Sequence, residues 1–236
     1  MVPMRSPPPA RWLAALMLLF AFSLPAHAQD PSLVPMYGGL DRHSDPVLKG
    51  ADDALIEGTT KEYGSREAAS RKFTDQGFHF YFRDDLQTAM RRFNQGWLLN
   101  PNNPDVFYGF MAILNDQGSY CESLRMGEKA FELGLKRDVY TLADAGRVHA
   151  LCAMLDKSID DNTKSAYVKR SSEYFTEALK SQHDTQYVYG HWASASYALG
   201  DYAGAWRYVN LQKQHGGQPG KKFLKMLKQK MPEPRN

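Results

Sequence analysis

Ser70 to Asn103 reads SRKFTDQGFHFYFRDDLQTAMRRFNQGWLLNPNN, and Pro104 to Arg137 reads PDVFYGFMAILNDQGSYCESLRMGEKAFELGLKR. Each stretch is 34 residues long, and the second follows the first without a gap. Superimposed, they agree in residue type where packing would demand it. Phe73 falls opposite Phe107, Phe80 opposite Leu114, Leu86 opposite Tyr120, Ala89 opposite Ser123 and Gly96 opposite Ala130. Asp84-Asp85-Leu86 meets Gly118-Ser119-Tyr120, so a turn divides each stretch at the same place. One core position disagrees, because Phe93 meets Gly127 and leaves a gap for neighbours to fill. The seam between the two stretches is Pro101-Asn102-Asn103-Pro104. Pro101 stops one helix, the asparagines turn the chain, and Pro104 suits the first position of the next helix.

A third unit begins at Asp138, and a fourth contains Gly200-Asp201-Tyr202 in the place of Gly118-Ser119-Tyr120. These two turns are 82 residues apart, which is two periods of 34 plus an insertion of 14. Adding seven residues, about two helical turns, to each of two antiparallel helices would preserve the apolar faces. The loop between them is then expected near Ser158 to Asn162, with Asn162 or Thr163 capping the next helix.

A 34-residue helix-turn-helix period with Gly77, Phe80, Ala89, Phe93 and Pro101 in these places resembles the tetratricopeptide repeat family. The early tryptophan of that pattern is replaced by Phe73, Phe107, Thr141 and Tyr189 in the four units. The resemblance implies an all-α solenoid of about four helical pairs, each burying an apolar face against its neighbour. The units are expected near 70–103, 104–137, 138–185 and 186–217, within an array over 65–217 entered from a cap at Ser65.

In such an array the first helices line a concave face. The groove residues are therefore expected to be Thr74, Phe78, Tyr81 and Phe82, then Tyr108, Ala112, Asn115 and Asp116. The third unit contributes Leu142, Gly146, His149 and Ala150, and the fourth Tyr187, Ser194 and Tyr197. The lysine, arginine and asparagine set with which some members clamp a terminal carboxylate is not found at the matching positions. An aromatic, weakly acidic groove suits an extended or helical peptide with apolar anchors. The alternative is that residues 29 to 49 pack back over Phe78, Tyr81 and Phe82. The arrangement also brings Cys121, at the start of one second helix, beside Cys152, late in the next first helix. A Cys121–Cys152 disulfide is expected; the alternative is two buried free thiols.

Outside the array, residues 1–28 read as a cleaved signal peptide. Arg5 and Arg11 precede an apolar run over 12–24, and Ala26-His27-Ala28 supplies the small residues of a cleavage site. The chain is then expected to be periplasmic or secreted. Without Arg5 and Arg11 the 29 basic side chains fall to 27 against 26 acidic ones, so the pI of 8.7 does not indicate a nucleic-acid partner. Residues 29–64 read as an extended segment with one short helix, capped by Asp45 and opened by Pro46 but weakened by Gly50 and Gly58. Residues 218–236 read as an amphipathic capping helix and a basic tail. It carries Lys221, Lys222, Lys225, Lys228, Lys230 and Arg235 against Glu233, and buries Phe223, Leu224 and Leu227.

No G-x-S-x-G, H-E-x-x-H or C-x-x-C occurs, and Gly216 to Lys222 lacks phosphate-loop spacing. Asp156, Asp160, Asp161 and Asn162 lack the glycine and glutamate of a calcium loop. No enzyme, cofactor or metal site is expected. The expectation is a protein-interaction module, an adaptor or assembly factor of a bacterial envelope with a peptide or protein partner. The alternative function is attachment to envelope lipid or peptidoglycan through the basic C-terminal helix.

Overall fold

The computed structural model describes residues 30 to 234, so the expected signal peptide lies outside the described residues. These residues form ten α-helices and three short 3₁₀ segments, with no strand among them. In chain order the helices are α1 (Pro46–Tyr63), α2 (Arg66–Tyr81), α3 (Leu86–Leu99), α4 (Pro104–Asp116) and α5 (Tyr120–Glu132). Then follow α6 (Val139–Leu155), α7 (Asp161–Ala178), α8 (Thr185–Ala198), α9 (Tyr202–Gln214) and α10 (Lys221–Lys230). Each of α2/α3, α4/α5, α6/α7 and α8/α9 packs as a hairpin, and the hairpins follow one another through α3/α4, α5/α6 and α6/α8 contacts.

The seam at Pro101–Pro104 shows how the hairpins are fixed. Asn103 caps α4, its Oδ1 accepting from the Asp105 amide at 3.1 Å, and Pro104 occupies the first turn. The Asn103 amide group donates to Ser70 Oγ at 2.9 Å and Thr74 Oγ1 at 3.2 Å, tying the cap to α2. Buried serines also link paired helices. Ser123 Oγ donates to the Met111 carbonyl at 2.7 Å, and Ser171 Oγ to the Gly146 carbonyl at 2.7 Å. Each satisfies a polar group inside an otherwise apolar seam.

Aromatic rings from the second helices fill the hairpins against glycines. Phe93, fully buried on α3, lies so close to Gly77 and Gly109 that a Cβ there would come within 2.5 and 2.4 Å of the ring. The gap expected opposite Gly127 is filled by Met111, whose sulfur would stand 2.5 Å from a Cβ at that position. In the longer hairpin Phe175 covers Gly146 and stacks on Trp192 of α8 at 5.0 Å.

The insertion lands where the register requires but is shared differently. α6 and α7 have 17 and 18 residues where α4 and α5 have 13 each, so the helices gain about one turn rather than two. The rest lengthens the connections. The α6–α7 loop is 156–160, and the cap is Asp160, which accepts from the Asn162 and Thr163 amides, not Asn162 or Thr163 itself. An aspartate two residues before Asn162 supplies the same capping geometry.

The N-terminal region departs further from expectation. α1 is an 18-residue helix, not a short one, capped by Asp45 and ended by Gly64 in the left-handed conformation (φ 86°). Gly50 and Gly58 face open space, while Leu55, Ile56 and Tyr63 pack on Ala69, Phe73 and Leu99. Packing on α2 and α3 outweighs the roughly 1 kcal/mol that each glycine costs a helix. The preceding turns, Pro31–Leu33 and Pro35–Gly39, dock on α3 rather than over α2. Asn94 donates to the Ser32 and Val34 carbonyls at 3.0 and 2.9 Å, and Tyr37 is buried under Arg42, which also pairs with Asp52.

The disulfide Cys121–Cys152 joins α5 to α6 across a separation of 31 residues. At the other end α10 covers the last hairpin. Leu227 is fully buried, Phe223 and Leu224 are half-buried against Trp206 and its neighbours, and the lysines of α10 are exposed. Among the described residues no helix is long and apolar enough to cross a membrane.

Candidate functional site

The first helix of every hairpin contributes to one cleft of about 350 Å³. Phe78 and Tyr81 come from α2, with Phe82 at its C-cap; Tyr108, Met111, Ala112 and Asn115 come from α4. Tyr140, Asp144, Arg147 and Val148 come from α6, and Tyr187 and His191 from α8. No lining residue belongs to α3, α5, α7 or α9. Residues spaced by three and four share one helical face, so the 108/111/112/115 and 140/144/147/148 sets follow from a single stripe on each helix.

At the centre Asp144 gathers three side chains from two other helices. Its Oδ2 accepts from the Tyr108 hydroxyl at 2.6 Å, and its Oδ1 from the Tyr187 hydroxyl at 2.8 Å. His191 Nε2 lies 3.6 Å from Oδ1. Toward the rim the Tyr81 hydroxyl donates to Asp116 at 2.9 Å, and Tyr140 reaches Asp184. Burial is the first cause raising the pKa of Tyr81, Tyr108 and Tyr187, and the neighbouring aspartate adds to it. These hydroxyls therefore remain protonated donors at neutral pH. Burial likewise lowers His191 to about 4 despite Asp144, and Arg147 pushes in the same direction. The ring is neutral, so its approach to Asp144 is a polar contact rather than an ion pair. Among the described residues His191 Nδ1 and Asn115 Oδ1 are buried without a hydrogen-bond partner.

The walls are aromatic. Phe78 packs edge-on to Phe93 at 5.0 Å and lies 5.9 Å from Tyr108, which anchors it to the core. Phe82 stands beyond it, 80% exposed. Tyr140 meets Tyr187 edge-on at 5.2 Å, and Tyr187 lies 4.2 Å from the His191 ring.

Of the expected groove residues, Phe78, Tyr81, Phe82, Tyr108, Asn115 and Tyr187 line this cleft, and Asp116 stands at its rim on the Tyr81 hydroxyl. Others stand elsewhere. Thr74 is buried at the seam between Ser70 and Asn103. His149 is buried on the opposite side of α6 against Tyr167 and Tyr174. Tyr197 packs on Tyr202 and Phe223 at the α10 end. Leu142 and Ala150, expected beside His149, are core residues.

The error in α6 is systematic. The expected set 142, 146, 149, 150 differs from 140, 144, 147, 148 by two residues throughout, about 200° of helix rotation. Starting the third unit at Lys136 instead of Asp138 would have corrected it. Val139 then replaces Thr141 opposite Phe73 and Phe107, and all three are buried. Asp144 and Arg147, absent from the sequence expectation, enter the cleft with this shift. No protein-family model, curated protein or solved structure matches the chain.

Proposed function

We propose that this chain is an exported, non-enzymatic protein-interaction module, an adaptor or assembly factor of a cell envelope. Its hairpins act as about four tetratricopeptide-like units of one solenoid, and an extended peptide or partner segment lies along their first helices. The observation that carries this reading is the composition of the cleft wall, drawn from α2, α4, α6 and α8 alone. A face assembled from equivalent helices of successive hairpins repeats its geometry along the stack, which suits a ligand that is itself extended. The exposed Phe82 and half-exposed Tyr140 supply apolar anchoring surface at its mouth. Export is supported by the Cys121–Cys152 disulfide, since such bonds persist in oxidising compartments.

The test compares affinity capture by the native chain and by a variant whose cleft is filled, Ala112→Arg. Ala112 is only partly buried, so the longer side chain projects into open volume. A partner held by the native protein and lost from the folded variant supports the reading. A partner retained by the variant places recognition elsewhere.

A further inference from the structure

The two acids of the cleft are already engaged. Both oxygens of Asp144 accept tyrosine hydroxyls, and Asp116 accepts from Tyr81 and Asn115. Arg147 stands three residues after Asp144 on α6, half-buried in the cleft wall. Among the described residues it makes no hydrogen bond and no ion pair. The other half-buried arginines among the described residues are engaged: Arg42 donates to Asp52 at 2.8 Å and Arg92 to Gln95 at 3.0 Å, whereas Arg71, Arg83 and Arg125, also without a partner, are exposed.

A half-buried guanidinium with its fork of donors unused is matched by a carboxylate, which accepts two parallel N–H bonds. A cationic ligand would meet Arg147 and find both Asp144 oxygens already bonded to tyrosine hydroxyls. Beside this charge lies an aromatic wall whose outer member, Phe82, is 80% exposed. The volume of about 350 Å³ is near the lower end of the roughly 300–1,000 Å³ of small-molecule clefts, enough for one ring and its polar group.

We infer that the cleft binds an aromatic carboxylate unit, its carboxylate on the Arg147 guanidinium and its ring against Phe78, Phe82 and Tyr108. This rests on the cleft being the binding face, as proposed above, and adds the chemistry of what enters it. Such a unit exists as a free aromatic acid and as the last residue of a peptide ending in phenylalanine.

The test is a titration of the oxidised protein followed by amide chemical shifts, with four probes. They are 3-phenylpropionate, 3-phenylpropanamide, and a hexapeptide ending in phenylalanine with either a free or an amidated terminus. For at least one pair the acid should bind tenfold or more tighter than its amide, with shifts at cleft residues. In Arg147→Gln that acid should fall to the level of its amide, and Arg147→Lys should restore part of the difference. Tighter binding of the free-terminus hexapeptide assigns the unit to a peptide end; preference for 3-phenylpropionate assigns it to a free acid. Equal binding of acid and amide by the native protein in both pairs overturns the carboxylate inference and leaves the cleft reading intact. No cleft shift with any probe overturns the aromatic-carboxylate inference, while the cleft reading itself stands or falls by the Ala112→Arg capture.

Discussion

His149 and His191 occupy two first helices, and burial lowers both to about 4, yet they face opposite sides of the molecule. His149 Nδ1 lies 2.8 Å from the Ala145 carbonyl; a carbonyl only accepts, so the proton sits on Nδ1. Its ring is wedged between Tyr167 and Tyr174, and its 3.9 Å approach to Glu128 is no ion pair while the ring is neutral. His191 borders open volume, contacts an aspartate shared by two tyrosines, and has Nδ1 without a partner among the described residues. One side of α6 is thus closed by aromatic packing and a disulfide, while the other is lined with polar groups that packing does not complete.

The largest effect should come from opening the closed side. Phe175→Ala removes a fully buried ring lying on Gly146 and Trp192, and should cost about 3–5 kcal/mol by denaturant unfolding. A loss below about 1 kcal/mol would mean that this side is not the packed one. Reducing Cys121–Cys152 should cost roughly 3–4 kcal/mol by the chain-entropy estimate, read as a lower unfolding midpoint in reductant.

Acid should act on both sides at once. Each histidine has a folded pKa of about 4 against 6.5 in the free side chain, so the unfolded chain binds protons first as pH falls. Their contribution is fully present above about pH 6.5 and is lost progressively toward pH 4, up to about 3 kcal/mol for each. Proton NMR titration of the two rings sharpens the comparison. A His191 that titrates near 6.5 while His149 stays low would show that the cleft is wet at its base. The smallest effect is expected at the mouth. Phe82→Ala should change stability by less than about 0.5 kcal/mol, because its ring is mostly in water, while weakening whatever ligand packs on it.

The helical architecture was legible because it is written in local signals: the Pro101–Pro104 seam, the Gly118 and Gly200 turns, and apolar residues at helical spacing. The disulfide followed from placing those helices side by side. The phase of α6 was not legible. A two-residue error at the unit's start rotates every side chain to the far face. The tyrosine network on Asp144 was out of reach for a different reason. Tyr108 and Tyr187 reach it across 36 and 43 residues of chain, and no local pattern encodes such a meeting. The length of α1 was missed because its two glycines argue against a helix that tertiary packing nevertheless holds.

The central claim, that the face shared by α2, α4, α6 and α8 is where a partner lies, is tested most directly by site-specific photocrosslinking. One crosslinker replaces Phe82 at the cleft mouth, and the other replaces Lys169, exposed on α7. The account predicts a discrete adduct in native envelopes from position 82, competed by unlabelled protein, and none from position 169. The same adduct from position 169, with none from position 82, would contradict it.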